Sequence, residues 1–531
     1  MMITSCDIIG LLGGEEPDRP SNVPQNNHNG GGGINIWGDN ERPNDDTDLD
    51  IKPPYDTSDP FDTGKPTDTN PPEETNGGGV VVLPDNPPDN ILDYRGKAVN
   101  ILIRSPQQYR REWRAADDQT ELDYLDQEIV RRNQKVETML NVKLNYKLNT
   151  AADENMNDLI TVAGKNGMGE YDIVSNYAAL ATSTNVLQYY MNFNSSQLTY
   201  MDLTKPYWNQ AFIEEAESFG KLYVCVGDAN LSVYDRAFAV YFNREKANLY
   251  LKNIDLYQMV LDGEWTYEEF YNIIANLYVD NGTQDEADDF YGVASIKGSE
   301  AWDGFLYSLG ASLTQKDANG YHTLVTGEAY TRLGSAFSMA YNFWRTEGSR
   351  MVDGSAKNYE FFTTGRALFD IDVLYHYESG NQMLRNMEDG YGILPMPMYS
   401  TTQGEYITGV QDAHNVMSIV SHFKQDYQMI SAVMEALYRE SYHSIRPYYI
   451  EKIVNGQFLD ADSVSVFGLI LNGTRWDFAD IYNAAIGNTH EKIWRGPLRK
   501  QSIDTVDAGY AANAETFNQN LATIDQWMAL H

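Results

Sequence analysis

Ala98-Val-Asn-Ile-Leu-Ile-Arg104 is the stretch from which the fold is read. It alternates and runs apolar, which predicts a strand. Behind it, Leu122, Leu125, Ile129, Val130, Val136 and Leu140 recur at helical spacing. Val142-Lys-Leu-Asn-Tyr146 reads as a second strand, Met156 to Ala163 as a helix, and Tyr171-Asp-Ile-Val174 as a third strand with a helical stretch from Leu180. Strand, helix, strand, helix, strand predicts a right-handed, parallel α/β unit. Such sheets hold ligands beyond the carboxyl ends of their strands, here Ser105–Tyr109 and Ser175–Tyr177.

Toward the N-terminus the character changes. Residues 7–92 hold 13 of the chain's 19 prolines, 18 acidic residues against four basic ones, and only Trp37, Tyr55 and Phe61 as aromatics. A segment so poor in apolar surface cannot offset its chain entropy, so a disordered acidic linker is expected, spanning on the order of 50 Å. Ahead of it stands Ile3-Thr-Ser-Cys6. An aliphatic residue, two small ones and a thiol resemble a bacterial lipobox, in which the Cys accepts diacylglycerol and two acyl chains anchor firmly. No basic region or apolar stretch precedes Ile3, so residues 1–6 are read as a signal remnant with Cys6 as the lipidation site.

Composition narrows the partners. The 531 residues carry 39 Lys+Arg against 76 Asp+Glu, a net charge of −37. That surface repels nucleic acid and anionic head groups. The two cysteines, Cys6 and Cys225, make no disulfide framework, and Cys225 in Leu222-Tyr-Val-Cys-Val226 reads as a small buried core residue. No metal or organic cofactor motif is present. The acidic loop Asp280 to Gly292 lacks the Asp-x-Asp-x-Asp-Gly spacing of a calcium loop and reads as solvated.

A series of strings follows in order: Gly220-Lys-Leu-Tyr-Val-Cys-Val-Gly-Asp228, Arg236-Ala-Phe-Ala-Val-Tyr-Phe-Asn-Arg-Glu245, Glu264-Trp-Thr-Tyr-Glu-Glu-Phe270, Tyr291-Gly-Val-Ala294, Phe361-Phe-Thr-Thr-Gly-Arg-Ala-Leu-Phe369 and Tyr391-Gly-Ile-Leu-Pro-Met-Pro397. In order and spacing, over roughly residues 96–531, they resemble the extracellular solute-binding family 1 of bacterial ABC importers. The chain departs from that pattern in its long N-terminus and in Trp265 preceding Thr266. The resemblance implies a two-lobed, periplasmic-binding-protein-like α/β fold, each lobe a mainly parallel sheet flanked by helices. The solute-binding domain would be 93–531, with a near lobe of about 94–240 and 404–442 and a far lobe of about 243–403 and 443–531. It also implies a monomeric, lipid-anchored receptor on the outer face of the cytoplasmic membrane, whose partners are an oligosaccharide and the permease subunits of an importer.

Sugars present apolar CH faces and hydroxyl rims, which flat aromatic rings and planar Asp, Asn, Gln or Arg groups complement. By the same resemblance the cleft lies near Gln107 and Tyr109, Asn176 and Tyr177, Asp228 and Arg236, Trp302, Asp372, and Trp476. Trp302 is followed by Phe305, Leu306 and Leu309 at helical spacing, so core packing is the competing reading. Arg236 also reads as an ion-pair partner of Asp228 or Asp235, and Trp476 as packing inward with Phe478. The rival function is a secreted glycoside hydrolase, which needs two cleft carboxylates at a set separation. A cell-surface glycan adhesin is the third reading. There is no His-Glu-x-x-His, Gly-x-Ser-x-Gly or phosphate-binding loop, and no internal repeat.

Overall fold

The computed structural model describes residues 92–114, 124–150, 152–297, 300–374, 387–450, 461–500 and 505–530. Cys6 and the expected linker, up to residue 91, lie outside them. The strands in chain order are β1 (Lys97–Arg104), β2 (Val142–Asn149), β3 (Ile173–Tyr177), β4 (Phe238–Asn243), β5 (Tyr278–Val279), β6 (Phe290–Ile296), β7 (Thr314–Lys316), β8 (His322–Leu324), β9 (Ser349–Val352), β10 (Ala367–Val373), β11 (Tyr391–Leu394), β12 (Thr408–Gly409), β13 (Asn415–Ile419) and β14 (Thr474–Arg475).

The apolar run of β1 makes it a central strand, paired in parallel with β2 on one side and β3 on the other. Val99, Ile101 and Ile103 are fully buried. The helix Tyr124–Leu140 buries the stripe that its spacing predicts, Val136 and Leu140 in the core shared with β1 and Leu125 and Ile129 in a second cluster with Ala237 and Tyr241. It stops at Asn141, whose φ of 45° no helix continues. The next helix, Met156–Asn166, ends on left-handed Gly167, which donates back to Ala163. The third strand begins two residues later than its apolar pattern suggests. At its start the Asp172 amide donates to Asn100 O at 2.8 Å, and the Asp172 carboxylate takes the amide of Asn100 in return at 2.7 Å. The helical stretch expected from Leu180 is two short turns, Ala178–Ala181 and Thr184–Leu187.

The chain builds a second sheet on the same plan. In the first, β2, β1 and β3 are parallel, β13 joins β3 antiparallel, and Cys225 bridges antiparallel to Met417 beyond it. In the second, β9, β6 and β10 are parallel, β4 joins β10 antiparallel, and β11 pairs antiparallel with β4. In each sheet the antiparallel strand follows directly on a crossover from the other sheet. β4 enters the second sheet after the near segments, and β13 returns to the first after β11. The two crossovers touch, with Ala237 bridging Val410 and the Gln411 amide donating to Arg236 O at 2.8 Å.

Sequence details explain the second sheet. Thr266 caps the helix Tyr267–Ile274, and Trp265 before it is fully buried, its indole donating to Pro395 O at 2.8 Å. Gly392 lies where a Cβ would meet the Phe242 ring and the Tyr257 hydroxyl at 2.3–2.4 Å, so only glycine lets β11 approach β4 there. Cys225 is fully buried, as its apolar run predicts.

Candidate functional site

At the carboxyl end of β1 stands Arg104, a cation closing an apolar strand and 3% exposed. Its guanidinium donates to Ala413 O at 2.9 Å and to Asn415 Oδ1 at 3.2 Å, and pairs with Asp153 at 2.5 Å. It also lies over two rings, 3.5 Å from the Tyr109 centroid and 4.5 Å from that of Tyr177. The loop after β1 and the end of β3 are thus drawn together around one cation. From the crossover, Arg236 donates to the Tyr109 hydroxyl at 3.0 Å and to Gln411 Oε1 at 3.3 Å. Burial, then the carboxylate of Asp412, push the Tyr177 phenol up to about 12.

Near this group, within electrostatic reach of Tyr177, is a clasp. Arg495 holds the Asp303 carboxylate with Nε at 2.9 Å and Nη2 at 2.5 Å, and reaches Asp412 at 3.2 Å. Asp303 belongs to the helix Glu300–Ser308 that follows β6 of the second sheet, whereas Asp412 precedes β13 of the first. Burial works against the charge of Arg495, but the two carboxylates outweigh it and its proton is held more tightly than usual. One side chain therefore ties elements of both sheets.

The expected contact residues fall into separate places. Tyr109, Tyr177 and Arg236 meet as described, and Gln107 is exposed beside Tyr109. Asn176 is fully buried, its amide donating to Asn157 Oδ1 at 2.9 Å and its Oδ1 accepting the Tyr177 amide at 2.8 Å. Asp372 is 2% exposed on β10 and accepts the Val373 amide at 2.6 Å. Trp302 is 6% exposed within the main core, and its carbonyl accepts from Trp494 Nε1 at 3.0 Å. In the acidic loop, Asp289 accepts from Tyr278 and from the Asn281 amide, so its carboxylate organises the loop itself.

Asp228 and Trp476 line a cavity of about 620 Å³. Tyr207, Trp208, Tyr234 and Trp476 form its aromatic walls, and Asp228, Arg446 and Arg475 contribute charge. Gly227 is obligatory here, because a Cβ would sit 2.2 Å from Tyr207 O. Asp228 accepts from the Tyr234 hydroxyl and pairs with Arg446 at 3.6 Å. Glu215, on the rim, accepts the Phe478 amide at 2.9 Å, and burial with the nearby Asp477 pushes its carboxyl up to about 7.

Both places lie at one end of the first sheet, and Trp476 approaches His414, just before β13, with ring centroids 6.1 Å apart. That sheet runs β2, β1, β3, β13, then residues 222–226, then Trp208, which bridges Gly227. Tyr109 and Tyr177 stand at strand ends on the β3 side of β13, while Asp228 and Trp208 stand at the same end of the sheet on its other side. Sequence reading did not single out Arg104, Asp412, Arg495, Tyr207 or Trp208. Of these, Arg104 carried a legible signal, a charge ending a buried strand. Arg495 and Asp412 carried none, because their meaning depends on elements far apart in the chain.

Two sheets of one topology, each completed by a strand crossing from the other, define the class: a two-lobed, periplasmic-binding-protein-like α/β fold. No protein-family model and no curated protein matches the chain. Solved structures similar to it include a cyclo/maltodextrin-binding protein complexed with maltotetraose, at 11% identity and a TM-score of 0.49 over 82% of this chain and 97% of that one. Another is the ABC transporter associated binding protein from B. animalis subsp. lactis with beta-1,6-galactobiose, at 13% identity and 0.48 over 82% and 98%. A third is the galacto-N-biose/lacto-N-biose I-binding protein of Bifidobacterium longum with lacto-N-biose, at 10% identity and 0.48 over 81% and 98%.

Proposed function

We propose that this chain is an extracytoplasmic substrate-binding lipoprotein that captures a neutral oligosaccharide between two lobes and delivers it to the permease of an ABC importer. The observation that carries the reading is the meeting of Tyr109, Tyr177 and Arg236 at the strand ends beside the crossover, near the Arg495–Asp303 clasp. Rings and a planar guanidinium at one point match the two chemical faces of a sugar. Their place beside the crossovers that link the two sheets suits a ligand whose binding draws two lobes together. Gln107 extends the polar rim. Trp302 and Asp372 are the far-lobe contributions in this reading, reached when the lobes close.

The protein acts as a monomeric receptor and cleaves nothing. Cys6 carries the anchor, and residues 7–92 hold the domain away from the membrane. The near lobe comprises about 94–240 and 404–442, the far lobe the remainder of 93–531. Calorimetry against a panel of neutral oligosaccharides tests the reading. The expected result is a 1:1 complex in the cleft, little weakened by salt because the ligand carries no charge, with the oligosaccharide recovered uncleaved. Cleaved product would instead support a glycoside hydrolase, and binding limited to polyamines, lost at high salt, would overturn the sugar assignment.

A further inference from the structure

We propose that Glu112 is a positioning residue for lobe closure: it holds the near-lobe ends of the three chain passages that link the two sheets. Glu112 follows the helix Gln107–Arg110 in the loop after β1 and is 1% exposed. Its Oε2 accepts the Ser232 amide at 2.9 Å and the Ser232 hydroxyl at 2.8 Å. Ser232 lies in the helix Leu231–Asp235, directly before the crossover into β4. Its Oε1 accepts Asn415 Nδ2 at 2.6 Å, and Asn415 is the first residue of β13, where the second crossover returns. The two anchored ends also meet, since the Asn415 amide donates to Ser232 Oγ at 3.0 Å. The third passage leaves the helix Tyr427–Glu440 at Ser441 and leads on to the helix Ala461–Asn472, which packs beside β11 of the second sheet. Arg132 connects Glu112 to it, donating to Glu112 O at 2.8 Å and to Ser441 Oγ at 3.0 Å.

A carboxyl group shut away from water is costly unless it is hydrogen-bonded. Ser232 and Asn415 supply three donors to that of Glu112, and the buried Arg132 guanidinium meets its carbonyl. Loss of the carboxyl group therefore leaves buried donors unpaired at the ends of two crossovers, where the chain turns from one lobe to the other. The strand-end group belongs to the same unit. Asn415 gives its second amide hydrogen to Tyr109 O at 3.1 Å, and its Oδ1 accepts from Arg104 at 3.2 Å. The placing of a candidate ligand ring thus depends on the same side chain as the crossovers. The inference rests on the reading of the chain as a receptor whose lobes close on a ligand, and Glu112 acts in it through Ser232, Asn415 and Arg132. Crossovers held at fixed ends leave less of the binding energy to be spent on arranging the lobes.

The test measures lobe geometry directly, by pulsed dipolar electron spin resonance on the whole chain carrying Cys6→Ser. Spin labels at Lys143→Cys on β2 and Lys252→Cys beyond β4 report the distance between the lobes. Labels at Lys143→Cys and Asp158→Cys report the near lobe alone. All three positions are exposed, and Cys225 is fully buried. Glu112→Gln keeps the shape of the side chain but turns one acceptor oxygen into a donor NH₂ that faces Ser232 or Asn415. Glu112→Ala removes both oxygens. The expected result for each is an interlobe distance distribution that shifts or widens while the near-lobe distribution stays unchanged. Asp172→Asn is the comparison, because that buried carboxylate takes the Asn100 amide at the other end of the same sheet. It should lower the melting temperature and leave the interlobe distances unchanged. An unchanged interlobe distribution in folded Glu112→Gln overturns the proposal, as does an equal change in Asp172→Asn. If neither Glu112 variant folds, Ser232→Ala, which removes the hydroxyl that Glu112 and Asn415 share, is judged by the same two criteria. No ligand is added, so a failure of oligosaccharides to bind bears on the proposed function and not on this result.

Discussion

Arg236 Nη2 donates to the Tyr109 hydroxyl at 3.0 Å, joining the crossover to the loop after the first strand. The two residues are 127 positions apart, and only the tertiary fold brings them together at the strand ends. Tyr109 is also the ring on which Arg104 stacks, so one aromatic organises two cations at the strand ends. Replacing it removes both cation contacts and, in the proposed reading, a ligand platform.

Tyr109→Ala is expected to weaken oligosaccharide binding at least roughly tenfold, since truncating a well-packed aromatic at a binding site commonly costs about 2 kcal/mol or more. Tyr109→Phe keeps the ring and loses only the Arg236 bond, so its loss should be several-fold smaller. Calorimetry on both variants checks the ordering. Equal losses would show that the hydroxyl, not the ring, matters.

Arg495→Ala leaves the Asp303 carboxylate 4% exposed and without its bidentate partner. Removing one member of a buried pair costs about 3 kcal/mol. Urea unfolding should show that loss, and Asp303→Asn combined with Arg495→Met should recover part of it. No change in the urea midpoint for Arg495→Ala would mean that solvent or another cation replaces the clasp.

Glu435 sits behind the aromatic wall of the cavity, and burial pushes its carboxyl up to about 7 from an ordinary value of 4.5. Between those values the folded protein keeps a proton that the unfolded chain has released. Its contribution to stability is therefore complete below about pH 4.5 and lost as pH rises through 7. Glu435→Gln, permanently neutral, should flatten the fall of Tm over that interval. An identical pH profile in the variant would contradict the buried, raised carboxyl.

Trp302 is almost wholly enclosed, and its replacement by Ala should cost about 3 kcal/mol of stability, the size of a core Trp truncation. If it also meets ligand, as proposed, oligosaccharide affinity falls at least roughly tenfold under conditions where the variant remains folded. Normal affinity together with a lowered melting temperature would assign Trp302 to packing alone.

Cys6 is expected to carry lipid when the protein is made with a complete signal peptide. Detergent-phase partitioning measures this, and Cys6→Ser should move the protein to the aqueous phase. Partitioning that does not change with the substitution would remove the anchor from the proposal.

Local sequence determined the parallel unit at the start of the folded chain. The apolar run of β1, the stripe Leu125, Ile129, Val136 and Leu140, and the burial of Cys225 follow from periodicity, which acts within one element and is visible in one window. The order of strings from Gly220 to Pro397 likewise places β4, β6, β10 and β11. What only the tertiary structure decided is which side chains share a space. Asp228 and Arg236 stand eight residues apart, yet Asp228 lines the cavity with Trp476 while Arg236 bonds Tyr109 and Gln411. Arg495 and Asp412 look like ordinary surface charges in the sequence and become a clasp when two sheets meet. Periodicity reports which face of an element is apolar; it carries no term for what a distant strand places opposite that face.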